Sequence, residues 1–128
     1  MNFDRKYLVC ALLFAIAGIS LGIYMAASDN HGELVAHAHI LLIGFVVSFI
    51  YGIIHKLWLA RPNRMIANLQ FYLHQAAALA LSVGLTLLYG GLVPPGPLVP
   101  LLTLGSIAVL IGVLMMLYMV LTTRSVGT

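Results

Sequence analysis

The stretch Val35-Ala36-His37-Ala38-His39-Ile40-Leu41-Leu42 sets two imidazoles two residues apart inside an apolar run that extends from Leu34 to Leu59. A run of that length reads as a helix able to cross a membrane, which takes about 20 apolar residues. Ionisable side chains are rare inside such helices, and by default each marks a functional site. At roughly 100° per residue, positions i and i+2 lie about 200° apart around an α-helix. The two rings therefore leave the helix on opposite sides, and one helix can serve two different partners, such as two planar cofactors.

The rest of the chain is of the same kind. Its 128 residues are 62% hydrophobic and only 7% charged, where a soluble domain carries about a quarter charged residues. Three further runs, near Tyr7–Ala27, Met65–Tyr89 and Leu98–Thr122, join Leu34–Leu59 to predict four spanning helices. The expected fold is all-α: an integral membrane four-helix bundle in a single domain over residues 1–128. The first run is too long for a signal peptide and lacks a small-residue cleavage site, so it counts as a helix. Arg5, Lys6, Lys56, Arg61, Arg64 and Arg124 all fall on one side of this topology, while Asp29 and Glu33 fall on the other. The positive-inside rule then places both termini in the cytoplasm, and the expected location is the cell's inner (plasma) membrane, as a multi-pass protein. The net charge of +3 reflects this topology, and no nucleic-acid partner is expected, because aromatic-interleaved basic patches are absent. Membrane lipid is the surrounding partner.

Lone Cys10 excludes an internal disulfide, and without Cys-x-x-Cys-His there is no c-type haem attachment; it reads as core packing. Gly18 and Gly22 form a GxxxG, and Gly44, Ser48 and Gly52, like Ala78, Ser82, Thr86 and Gly90, repeat every four residues. Such stripes let helix backbones approach closely in a membrane. The Pro94-Pro95-Gly96-Pro97 cluster reads as a turn.

Of the five histidines, His31 lies in the polar connection Asp29-Asn30-His31-Gly32 and reads as solvated. His55 precedes Lys56 near a helix end, where a snorkelling role at the interface is ordinary; a cofactor role is the alternative. His74, in Phe71-Tyr72-Leu73-His74-Gln75, suits either an interhelical hydrogen bond or a cofactor ligand. His37 and His39 stand apart, because two buried imidazoles within one turn are costly unless both are used. Zinc wants three or four converging ligands, usually with Cys or carboxylate, and this pair diverges. Haem asks less of the protein: the porphyrin supplies four nitrogens and the chain adds one or two axial ligands. The candidate cofactor is thus haem b, or a related haem, with His37 and His39 as iron ligands and His74 as a further cofactor-binding candidate.

These residues resemble a known family. Val35–Leu42, followed by Gly44 and then Ile54-His55-Lys56-Leu57-Trp58, looks like the tenth helix of the haem-copper oxidase catalytic subunit (subunit I), where an Ala-His-x-His motif stands between two haems. Leu69-Gln70-Phe71-Tyr72-Leu73-His74 resembles the start of that subunit's eleventh helix. The likeness covers around half of the chain. Carried over, it implies that His37 faces the high-spin haem and His39 the low-spin haem, whereas His74 corresponds to a position that ligates no haem. The family's copper ligands have no counterpart, as there is no His-Pro-Glu-Val-Tyr segment and no His-His pair, so copper-dependent oxygen reduction is not expected. Nor is there a counterpart to the second ligand of the low-spin haem.

A hairpin centred near Arg61–Pro62 would put His74 level with about residue 50, roughly 16 Å from His39 at 1.5 Å per residue. One chain would then not supply both axial ligands, and a homo-oligomer would. The oxidase subunit resembles three four-helix arcs around a pseudo-threefold axis, which favours a homotrimer by analogy, with a dimer as the alternative. The function expected is electron transfer by a membrane cytochrome b with an unidentified redox partner. The alternatives are a membrane oxidoreductase acting on quinol, an oxygen species or another small molecule, and a haem-free accessory or scaffold subunit.

Overall fold

Four apolar helices account for most of the residues that the computed structural model describes, 1–127, and no strand occurs among them. α1 spans Phe3–Ser28 and ends on Asp29, whose φ of 52° turns the chain out of the helix. The second span has three parts: α2 (Leu34–His39), a π-helical segment (Ile40–Val47) and α3 (Ser48–Leu57). α4 spans Arg64–Tyr89 and α5 Pro95–Thr122. Each of the four is long and apolar enough to cross a membrane, the mark of a multi-pass membrane protein.

The ends of these helices differ in detail from the pattern expected. α1 begins four residues earlier than Tyr7, so Arg5 and Lys6 ride its first turns. The second span stops at Leu57, and Leu59 folds back into the core at 4% exposure. Asn63 caps α4, its side chain accepting from the Met65 and Ile66 amides at 3.0 and 3.3 Å. The proline cluster is more than a turn: Pro94 is the N-cap and Pro95 opens α5, where a missing N–H and a preset φ cost nothing.

Consecutive helices pack on one another, but α5 packs chiefly on α4, and α1 meets α4 only slightly. The four spans of the expected bundle are therefore arranged as an open arc. Small residues set the close approaches. Gly18 faces Ile40 and Leu41, Gly44 faces Phe14, Gly84 faces Leu102 and Gly105 faces Leu81. A Cβ on any of them would collide with or crowd those side chains. At the cation-rich end a cluster of Tyr7, Tyr51, Leu59, Ala67, Phe71, Met116 and Met119 ties the arc together, with Cys10 packed against it. The outer faces of α1 and α5 carry large exposed apolar side chains, among them Leu13, Ile16, Leu104 and Leu121.

Candidate functional site

His37 and His39 sit at the end of α2, immediately before the π-helical segment. Each imidazole is anchored through Nδ1 to a backbone carbonyl. His37 donates to Gly18 of α1 at 2.8 Å, and His39 donates to Val35 of its own helix at 2.8 Å. A carbonyl can only accept, so in the neutral ring the proton lies on Nδ1 and Nε2 keeps its lone pair. Neither Nε2 has a hydrogen-bond partner among the described residues.

The GxxxG of α1 explains how His37 reaches across. The Gly18 carbonyl is approached over the backbone of Gly22, one turn on, and a Cβ there would lie 2.9 Å from Cε1 of the His37 ring. Glycine at 22 thus leaves the space through which the imidazole meets the neighbouring backbone. The two rings find their carbonyls on different helices, and both are half-buried at the surface of the single chain.

These features fit haem ligation. A ligating imidazole is ordinarily oriented by a hydrogen bond from its other nitrogen to a carbonyl or carboxylate, and both rings have that arrangement. A bare ion finds less: among the described residues no three His, Cys, Asp or Glu side chains gather.

His74 is placed differently. It is fully buried, donates from Nε2 to the Ile43 carbonyl at 3.2 Å and lies 3.2 Å from Ser48 Oγ. The nitrogen needed for an axial bond is thus engaged between helices, and its free Nδ1 is enclosed. Of the two roles open to His74, the geometry favours the interhelical bond over the cofactor-binding one. Its level is close to that expected: His74 meets Ser48 Oγ at 3.2 Å and the Tyr51 ring at a centroid distance of 4.9 Å, around residue 50, and reaches down to the Ile43 carbonyl.

His55 does not snorkel. It is buried, stacked between Phe3 and Tyr7 at centroid distances of 5.0 and 5.6 Å. His31 is exposed.

Around His74 runs a polar seam that the sequence reading did not single out. Gln75 donates to Ser48 Oγ at 3.2 Å, Tyr7 donates to Gln70 Oε1, and Gln70 donates to the Gly112 carbonyl at 3.2 Å. The only sequence signal was the i,i+4 spacing of Gln70 and His74 in an apolar run, which puts both on one face. Tyr51 Oη, His55 Nε2, His74 Nδ1 and Gln75 Oε1 are buried in the same region without partners, and groups of this kind ordinarily hold ordered water. Just before α2, Glu33 packs its carboxyl against Gly90, leaving Oε2 buried and unpartnered, and burial pushes its pKa up.

Comparison with family models, with curated proteins and with solved structures finds no match to this chain. Its class is that of an all-helical protein with four potential membrane spans, and any narrower assignment rests on the chain's own residues.

Proposed function

We propose that this chain is a b-type haem-binding integral membrane protein, related to the haem-bearing helices of haem-copper oxidases, that serves electron transfer. His37 and His39 would hold the haem iron, each through Nε2. The observation that carries this reading is the matched state of the two rings: Nδ1 tied to a carbonyl, Nε2 free, at the open surface of the arc. A haem held there would supply a one-electron couple whose potential the two imidazoles and the low-dielectric surroundings would tune. The chain's part is to orient both imidazoles and to exclude water around them.

Half-exposed rings on diverging faces suit a cofactor held between chains. Each iron would take His37 from one subunit and His39 from its neighbour. An open arc with two unpaired apolar flanks suits closure into a ring, which favours a homotrimer over a dimer. The clustering of all six cations at one end supports termini on the cytoplasmic side of the inner membrane, with the histidine pair near the outer face.

The test is a pyridine haemochrome spectrum of the purified protein, with haem counted per chain. His37→Ala and His39→Ala are each expected to abolish or convert the spectrum, and His31→Ala to leave it unchanged. A colourless protein, or two single variants with the parent spectrum, would overturn the assignment and leave a haem-free scaffold. A six-coordinate spectrum unmoved by carbon monoxide supports electron transfer, whereas carbon monoxide binding points to an oxidoreductase.

A further inference from the structure

At the cation-rich end, a cavity of about 630 Å³ lies between the turn that joins the second span to α4 and the C-terminal end of α5. Its mouth carries Arg61 and Arg124. These two residues are 63 apart in sequence, and a backbone bond from the Ala60 amide to the Arg124 carbonyl, 3.1 Å, staples their segments together. Thr123 adds a hydroxyl to the lining, Ile66 and half-exposed Tyr118 give an apolar wall, and Met119 is buried beneath them.

The charges here are unbalanced. The one ion pair among the described residues is Lys56–Asp4, 3.8 Å, so neither guanidinium meets a carboxylate among them. Guanidinium forks match phosphate oxygens two at a time. Basic pockets between helices near the membrane surface recognise anionic lipid headgroups. The wall below the cations decides the source of the phosphate: a free anion has no use for Ile66 and Tyr118, whereas acyl chains lie against them.

We infer that this cavity is a binding site for one anionic phospholipid, with the phosphodiester held by Arg61 and Arg124 and the acyl chains running along Ile66 and Tyr118 toward the bilayer. The site is independent of the histidine pair. A lipid there would reinforce the Ala60–Arg124 bond that joins the end of α5 to the turn at Arg61.

The experiment is titration of the full-length protein in neutral detergent with phosphatidylglycerol, followed by native mass spectrometry. One lipid is expected to bind ahead of phosphatidylcholine. Arg61→Gln and Arg124→Gln are each expected to weaken it roughly fivefold, and the double variant roughly thirtyfold. Arg5→Gln, a cation outside the cavity lining, is expected to change it less than twofold. Equal losses in all three single variants would mean diffuse attraction and overturn the site. Glycerol phosphate that competes at the same concentration as the lipid would show a phosphate site only, and overturn the lipid assignment. On the unaltered protein, a photoactivatable phosphatidylglycerol is expected to crosslink to the peptides containing Ile66 and Tyr118. Crosslinks spread evenly over the helix ends would count against the proposal.

Discussion

Gly22→Ala tests the histidine site without touching a histidine. The added methyl would lie 2.9 Å from Cε1 and 3.3 Å from Nδ1 of His37. Carbon atoms rest at about 3.5 Å or more, so the ring must retreat by roughly 0.6 Å. A retreat of that size along the bond takes the 2.8 Å contact between Nδ1 and the Gly18 carbonyl past the ordinary limit of about 3.2 Å. Losing that bond costs about 1 kcal/mol, and the crowding adds a further cost of about 1 kcal/mol or more. Loss of an orienting hydrogen bond ordinarily weakens a ligated metal about 10–100-fold. Titration of apo-protein with haem in detergent, read at the Soret band, is expected to show a loss in that range and a changed spectrum. Gly105→Ala is the control: it crowds Leu81 Cγ at 3.0 Å between α4 and α5 and touches neither His37 nor His39, and is expected to lower stability while leaving haem affinity within twofold. Wild-type haem affinity and spectrum in Gly22→Ala would refute the role given to the His37–Gly18 bond.

If haem is shared between chains, its removal or His39→Ala is expected to shift the protein toward monomers, since a ligand bound only by the assembly stabilises it; native mass spectrometry reports subunit and haem counts together, and a monomer keeping one six-coordinate haem would contradict shared ligation. Tyr7→Phe leaves the buried Gln70 carbonyl oxygen without its donor and is expected to destabilise by about 1–3 kcal/mol, measured by thermal unfolding in detergent, with no change in any haem spectrum. Burial raises the Glu33 pKa above its usual 4.5, so the folded state holds the proton more tightly than the unfolded state. Stability from this group is therefore full below the unfolded value and is lost as pH rises through the folded one. Melting temperature is expected to fall across that window in the parent and to stay flatter in Glu33→Gln; equal slopes would remove Glu33 as the cause.

Much of the architecture is written locally. Hydropathy is a sum over neighbours in sequence, so four spans could be read from Tyr7–Ala27, Leu34–Leu59, Met65–Tyr89 and Leu98–Thr122 to within a few residues of the observed ends. The grouping of the six cations at one end follows from the same count. The histidine pair stands out because an imidazole is conspicuous in an apolar run, and its i,i+2 spacing needs only helix geometry; that the two rings are half-buried rather than buried only the packing of α2 shows.

What could not be read in advance depends on contacts between segments far apart in the chain. The Gly18 carbonyl that anchors His37 lies 19 residues away, and the Ile43 carbonyl that engages His74 lies 31 away; no local pattern states either pairing. The π-helical segment Ile40–Val47 has ordinary helix-forming apolar residues. Nothing in those residues announces the wider hydrogen-bond register. His55 looked interfacial because Lys56 follows it, yet Phe3 and Tyr7 of another helix cover its ring. Whether four helices close into a bundle or stay an open arc is likewise invisible to hydropathy, since lipid and protein are equally apolar neighbours for a leucine. That choice falls to the small residues and polar groups that let particular helix pairs meet. Here they join each span to the next and leave the outer faces of α1 and α5 uncovered.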